Sequence, residues 1–322
     1  MRCEAAGMSR VLVTGAAGFV GQALVGRLLD DGIQGRPVHQ LVLSDLSLAG
    51  VRRDPRLVLE EGSVADRAVQ QRLLRHQPEA IFHLASVPGG AAERDPVLGR
   101  GVNLEATLNL LETCQELEQA PRFIYASSIA VYGDTGTSSV SEDMTPSPAI
   151  TYGAHKLACE TLLADASRRG WVDGCSLRLP GIVARRDENP GVASAFMSQL
   201  FWKIAERKAI TLPISPEGRC WWMSVKTCVN NLVHMAAMDS GPWSARRSYQ
   251  MPVLHLGIDE VVQALAGCLG VDAAALVRYE PHPFTDKNFA RYPQLSTPRA
   301  IAIGLRNDGS ADELVRNVFD HP

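Results

Sequence analysis

The chain has 322 residues, 46% hydrophobic and 21% charged, with a formal net charge of −3. That length buries a sizeable core without disulfides, the mixed charge offers nucleic acid no basic field, and no run of about 18–20 apolar residues is there to span a membrane. Seven cysteines without a CxxC pair read as small core residues of a reducing compartment, and residues 1–10 lack a signal-peptide pattern, so the expected location is the cytoplasm.

Short apolar runs at Arg10–Thr14, Gln40–Ser44, Leu57–Glu60, Ala80–Ala85, Arg122–Ser127 and Cys175–Leu179 predict strands. Helical patterns lie among them at Phe19–Asp30, Ala65–His76, Val102–Leu117 and Tyr152–Arg168. This alternation predicts βαβ units in an α/β protein with a doubly wound parallel sheet. The first, second, fourth and fifth runs are almost continuously apolar, as strands covered on both faces are. Gly133–Ser147, rich in Ser, Thr, Asp and Pro, predicts an exposed loop. After Leu179 the prolines cluster and the rhythm changes, with helices expected at Ala193–Glu206 and Asp259–Leu269. The expected division is a nucleotide-binding domain of residues 1–180 with a return segment at 222–256, and a smaller C-terminal substrate-binding cap of 181–221 and 257–322.

The first strand runs into Gly15-Ala-Ala-Gly18-Phe19-Val20-Gly21. Gly15 permits a tight turn, Gly18 lets backbone approach a pyrophosphate, and Gly21 lets helix and strand pack closely, the arrangement of a Rossmann-type dinucleotide site. Backbone N–H groups at the helix start then face the phosphates. Asp45 closes the second strand, where a carboxylate accepts the ribose hydroxyls and repels a 2′-phosphate; this points to NAD, while Arg52 and Arg53 keep NADP open. No metal site is expected.

Tyr152-Gly-Ala-His-Lys156 puts a phenol and an ammonium on one helical face. A cation within about 4–6 Å favours a phenolate, which turns a poor base into a usable one. Upstream, an apolar strand ends in Ser127-Ser128, and Ser128 is placed to donate to a substrate oxygen. His155 reads as a surface histidine, Trp221 and Trp222 as cap packing, and Thr107, Leu110, Leu111 and Cys114 as a core stripe.

In order along the chain, TGAAGFVG, Phe82-His-Leu-Ala85, Asn103, SSIAVYG and YGAHK resemble the extended short-chain dehydrogenase/reductase family, also called the NAD-dependent epimerase/dehydratase family, over essentially the whole chain. The resemblance implies Ser128, Tyr152 and Lys156 as the catalytic set. It implies that Ser63, Val64, Leu84, Ala85, Ser86, Asn103 and Pro180 join the glycine turn and Asp45 around NAD, with Ser86 also near substrate.

Nucleotide-sugar members usually carry an Asn after the sixth strand and a later Val-Asp-Asp pattern. Here Gly181 and Arg219-Cys-Trp-Trp-Met-Ser-Val-Lys-Thr227 stand in those places. A narrower likeness, in Arg94-Asp-Pro-Val-Leu-Gly99, Arg178-Leu-Pro180, Pro213-Ile-Ser-Pro216 and Asn231-Leu-Val-His234, is to D-erythronate dehydrogenases. It implies NAD-dependent oxidation of the C2 hydroxyl of a small sugar acid to a 2-oxo acid. The alternatives are a nucleotide-sugar 4-epimerase or dehydratase, an L-threonine dehydrogenase-like enzyme, and a non-catalytic NAD-binding protein. Arg185 and Arg219 are the candidates for the substrate carboxylate, although either can equally be a solvated surface arginine. Family likeness implies a homodimer through the Val102–Leu117 and Tyr152–Arg168 helices, with neither nucleic-acid nor membrane partners.

Overall fold

The structure is a computed structural model that describes residues 9–136, 139–186 and 194–320. The chain forms two compact units, one of Met1–Val131, Pro148–Arg178 and Val229–Tyr249, the other of Tyr132–Ser147, Leu179–Cys228 and Gln250–Pro322. In chain order come β1 (Arg10–Thr14), α1 (Phe19–Asp31), β2 (Gln40–Asp45), β3 (Leu57–Glu61), α2 (Arg67–Leu74), β4 (Ala80–His83), α3 (Gly89–Arg94) and α4 (Pro96–Arg100). Next are α5 (Ala106–Thr113), β5 (Arg122–Ser128), β6 (Val140–Ser141), α6 (Thr151–Arg168), β7 (Asp173–Leu179), β8 (Gly181–Val183), α7 (Ala195–Ala205), β9 (Ile210–Leu212) and β10 (Arg219–Ser224). The last are α8 (Val225–Ala237), β11 (Ser248–Gln250), β12 (Leu254–Gly257), α9 (Ile258–Leu269), β13 (Val277–Tyr279), α10 (Pro283–Phe289), β14 (Leu295–Ser296), α11 (Pro298–Ala302) and α12 (Ala311–Phe319).

The first unit is built on a seven-stranded sheet of order β11-β7-β5-β4-β1-β2-β3. β1 pairs in parallel with both β2 and β4, Val11 lying opposite Leu41 and Ala80, and β3 and β5 extend the parallel set. Successive connections therefore leave β1 in opposite directions. The gap this opens beyond the carboxyl ends of β1 and β4 is where open α/β sheets bind ligands. The apolar runs decide the architecture: Val11, Leu12, Val13, Leu41, Val42, Leu43, Ile81 and Phe82 have no exposed surface. α1 buries Leu24, Val25, Leu28 and Leu29 along one stripe and ends at Gly32, in the left-handed φ region, whose N–H returns to the Leu28 carbonyl.

Two expectations need correction. Val102–Leu117 is not one regular helix: a π turn spans Gly101–Glu105, α5 follows, and a 3₁₀ turn closes Cys114–Glu116. Asn103, inside that turn, makes two hydrogen bonds with the backbone of Val87 (2.7 and 3.0 Å). Gly133–Ser147 is not simply an exposed loop, since β6 pairs in parallel with β14. Glu142 beside it is 5% exposed and accepts the backbone N–H of Arg299 at the start of α11.

In the second unit β10 lies between β8, in parallel, and β12, antiparallel. Phe201 and Ile204 of α7, Val261 and Leu265 of α9 and Leu314 and Val318 of α12 pack with Trp222 into its core. Trp221 and Trp222 are both buried, their indole N–H groups donating to the carbonyls of Pro293 and Leu256. Among the described residues no helix is long and apolar enough to cross a membrane.

Candidate active site

The glycine turn leaves β1 with Gly15 at φ 72°. A Cβ there would lie 2.7 Å from the Ala85 nitrogen and 2.9 Å from the Leu84 carbonyl carbon, so the turn rests directly on the loop after β4. Gly18 is the N-cap of α1, with no side-chain cap and no acidic residue in the first turn. A side chain at Gly21 would collide with the Gly15 carbonyl. Phe19 and Val20 form the first helical turn. Asp45 braces the turn from the end of β2, one carboxylate oxygen accepting Ala17 N–H (3.0 Å) and the other Leu46 N–H (2.7 Å). A glycine cradle at an uncapped helix N-terminus, with a carboxylate at the neighbouring strand end, fits an adenine dinucleotide. Gly62, at φ 142°, donates its N–H to the Asp45 carbonyl, which brings Ser63 and the buried Val64 next to that strand end.

β4 ends in His83, fully buried and clamped between two hydroxyls, Thr14 Oγ1 at 2.7 Å and Thr107 Oγ1 at 3.0 Å. Burial above all, and then the charge of Lys156, pull the His83 imidazole down to about 3, so it is neutral. Ser86 follows in the loop, its Oγ 3.2 Å from Asn103 Oδ1. Asn103 itself is buried, with its amide spent on Val87.

The third group assembles from β5 and α6. The buried stripe of α6 is Gly153, Lys156, Cys159, Glu160, Leu163 and Ala166, a helical period that carries two charges into the interior. Lys156 donates to the Ala126 carbonyl (2.7 Å), and its ammonium lies 4.7 Å from the Tyr125 ring centre and 5.5 Å from that of Tyr152. A Cβ on Gly153 would collide with the Ala130 carbonyl, so the start of α6 sits on the turn that follows Ser128. Ser128 Oγ accepts Ala130 N–H (3.1 Å), which leaves its own proton to donate. Tyr152 is half-buried, and its hydroxyl has no hydrogen-bond partner among the described residues. One turn beyond Lys156, Glu160 accepts Ser127 Oγ (2.5 Å), Arg178 Nε (2.9 Å) and Arg178 Nη2 (2.7 Å), a buried bidentate pair.

The first unit thus gathers Gly15, Gly18, Gly21, Leu84, Ala85, Ser86, Ser128, Tyr152 and Lys156 at the carboxyl edge of one sheet. Sequence reasoning missed Tyr125 and the threonine clamp on His83, because both act through packing between distant strands. His155 is half-buried rather than a surface residue.

Pro180, Arg185 and Arg219 belong to the second unit. Arg219 pairs with Glu260 (3.0 Å) and donates to the His255 carbonyl (3.1 Å). Arg185 borders a cavity of about 180 Å³ with Arg186, Gln199, Trp202, Lys203 and Glu206, and its carbonyl accepts the Trp202 indole N–H. At Gly181 a Cβ would lie 2.9 Å from the Trp221 carbonyl oxygen and 3.0 Å from Met197 Cε.

The chain is 36% identical over 312 residues to the D-erythronate dehydrogenase of Cupriavidus necator, covering 95% of this chain and 96% of that protein. To the D-erythronate dehydrogenase of Haemophilus influenzae it is 29% identical, covering 97% and 99%. The crystal structure of the nucleoside-diphosphate-sugar epimerase from Agrobacterium tumefaciens superposes with a TM-score of 0.88 at 30% identity, covering 96% of this chain and 93% of that one. The sequence profile of the NAD dependent epimerase/dehydratase family matches residues 11–245, and with the glycine cradle, Asp45 and the β5–α6 cluster in place, the chain belongs to that family.

Proposed function

We propose that this protein is an NAD-dependent dehydrogenase that oxidises the C2 hydroxyl of D-erythronate, or a closely similar four-carbon sugar acid, to the 2-oxo acid. The observation that carries the reading is the 36% identity to a D-erythronate dehydrogenase across nearly the whole length of both chains. Bound NAD supplies the hydride acceptor. Tyr152 takes the hydroxyl proton, Lys156 stabilises the phenolate, and the Ser128 hydroxyl donates to the reacting oxygen and fixes its position. The cofactor rests on Gly15, Gly18, Phe19, Val20 and Gly21, with Asp45 on the ribose and Ser63, Val64, Leu84, Ala85, Ser86, Asn103 and Pro180 around it. The acid's carboxylate pairs with Arg185 or with Arg219, the latter held between Glu260 and the His255 carbonyl.

A second reading, a nucleotide-sugar epimerase, is favoured by the solved structure from Agrobacterium tumefaciens. Against it stands Gly181, where the Trp221 carbonyl and Met197 leave no room for the Asn that nucleotide-sugar members carry. The reading also makes the protein a cytoplasmic homodimer through α5 and α6.

NADH formation on a panel of four- and five-carbon sugar acids tests the reading, with UDP- and GDP-sugars assayed in parallel. Turnover of D-erythronate, lost by about 10²–10⁴-fold in Tyr152→Phe, is the expected result. No oxidation of any acid, together with epimerisation of a nucleotide sugar, would reverse the ranking.

A further inference from the structure

Lys156 carries a charge at 1% exposure, and among the described residues no carboxylate pairs with it. The ionisable groups around it are Tyr152, Cys159 and Glu160 on its own helix, Tyr125 on β5 and His83 on β4. Glu93 of α3 meets the helix start, accepting Thr151 N–H, and Arg178 of β7 lies behind Glu160. The Glu160 carboxylate is taken by Ser127 and Arg178. The Cys159 thiol donates to the Asn103 carbonyl, and burial pushes it up. Among the described residues, what remains facing the ammonium is one carbonyl, Ala126, and two aromatic faces, of which Tyr125 is the nearer at 4.7 Å.

A cation within about 6 Å of an aromatic face is held by the ring quadrupole, more strongly where water is excluded. Burial keeps Tyr125 a neutral phenol by raising it well above its usual range. The ring is itself held by His83, stacked against it at 5.8 Å and 25° and clamped by Thr14 and Thr107. A neutral imidazole there matters, since a charged one would repel the nearby ammonium.

We propose that Tyr125 is a positioning residue whose ring is the seat of the Lys156 ammonium, fixing that charge beside Tyr152. The inference rests on the reading of Tyr152 and Lys156 as the acid–base pair. It requires an electron-rich ring at 125 and leaves the Tyr125 hydroxyl dispensable. A merely space-filling role would accept any apolar side chain of that size.

The test compares Tyr125→Phe, Tyr125→Leu and replacement of Tyr125 by pentafluorophenylalanine, an isosteric ring whose quadrupole is reversed. In apoprotein labelled with ¹⁵N-lysine, the Lys156 ammonium signal, identified by its loss in Lys156→Arg, is expected upfield in the wild type and Tyr125→Phe. In Tyr125→Leu it should return toward the exposed lysines. In the holoenzyme, the rising limb of the pH profile of kcat for alcohol oxidation should move to higher pH by about half a unit or more with Leu or the fluorinated ring. Tyr125→Phe should leave that limb in place. Identical behaviour of the Phe and Leu variants in both measurements overturns the proposal. If Tyr125→Leu does not fold, an unmoved limb with the fluorinated ring overturns it alone. Undiminished activity of Tyr152→Phe would instead sink the acid–base reading, while the dependence of the ammonium signal on Tyr125 would still stand.

Discussion

The Glu160–Arg178 pair is the most exacting test of how α6 is held. Glu160 is 4% exposed and Arg178 7%, and the carboxylate accepts two guanidinium N–H groups at 2.9 and 2.7 Å together with Ser127 Oγ. Glu160→Ala removes both acceptor oxygens, and with them three hydrogen bonds and the carboxylate that the buried Arg178 guanidinium pairs with. Breaking a buried pair from one side costs about 3–5 kcal/mol, most of it the desolvated charge left behind. Replacing both partners with apolar residues of similar volume, as in Glu160→Leu with Arg178→Met, is about neutral by the same reasoning. Urea unfolding followed by tryptophan fluorescence measures both. A loss below about 1 kcal/mol in Glu160→Ala, or a double variant as damaged as the single one, would show that water reaches the pair and that the helix is held by its apolar stripe instead.

Two further outcomes follow from the same geometry. His83 is held at about 3 in the folded chain against 6.5 when unfolded, so between these values the unfolded chain binds a proton that the folded one refuses. Its contribution is complete above pH 6.5 and is lost as the pH falls, at up to about 1.4 kcal/mol per pH unit; stability measured from pH 7 to 4 should fall less steeply in His83→Asn, and an unchanged slope would remove the imidazole from the account. Gly15→Ala forces an L side chain to φ 72° and drives its Cβ to 2.7 Å from the Ala85 nitrogen. NAD affinity, measured by calorimetry, should fall about tenfold or more, equivalent to about 1.4 kcal/mol, and an unchanged Kd would mean that the turn does not carry the phosphates.

What was legible in the sequence was local. β1, the glycine turn and α1 are contiguous, so an apolar run, three glycines and a helical stripe suffice to place them, and Asp45 and the Tyr152–Lys156 pair follow from fixed spacings. What was hidden depends on pairs far apart in the chain. Glu160 meets Ser127 across 33 residues and Arg178 across 18, and Glu142 caps α11 from 157 residues away. Two-residue strands such as β6 and β14 have no period to read. The short helices α3 and α4 were also missed, because six and five residues opening on Gly-Gly and on Pro are too few to show a helical period. The π turn at Gly101–Glu105 holds a buried amide against the Val87 backbone, a pairing no propensity scale contains.

The two departures from the nucleotide-sugar pattern have a common physical sense. The stretch Arg219–Thr227 has no acidic pair, and the carboxylate at its end comes instead from Asp308. Asp308 accepts Ser224 N–H at 2.9 Å, Ser224 Oγ–H, Thr227 Oγ1–H at 2.7 Å and Asn317 Nδ2–H at 2.9 Å. The start of α8 is therefore capped by a distant loop, and the strand before it buries both of its tryptophans. At the facing position Trp222 pairs with Gly181, where a side chain would strike the Trp221 carbonyl and Met197. An Asn introduced at 181 would thus have to displace a backbone carbonyl before it could reach any diphosphate. Gly181, Ser224 and Thr227 therefore belong to one packed arrangement of the β8–β10–β12 sheet and the start of α8, so that replacing any one of them singly would disturb the rest.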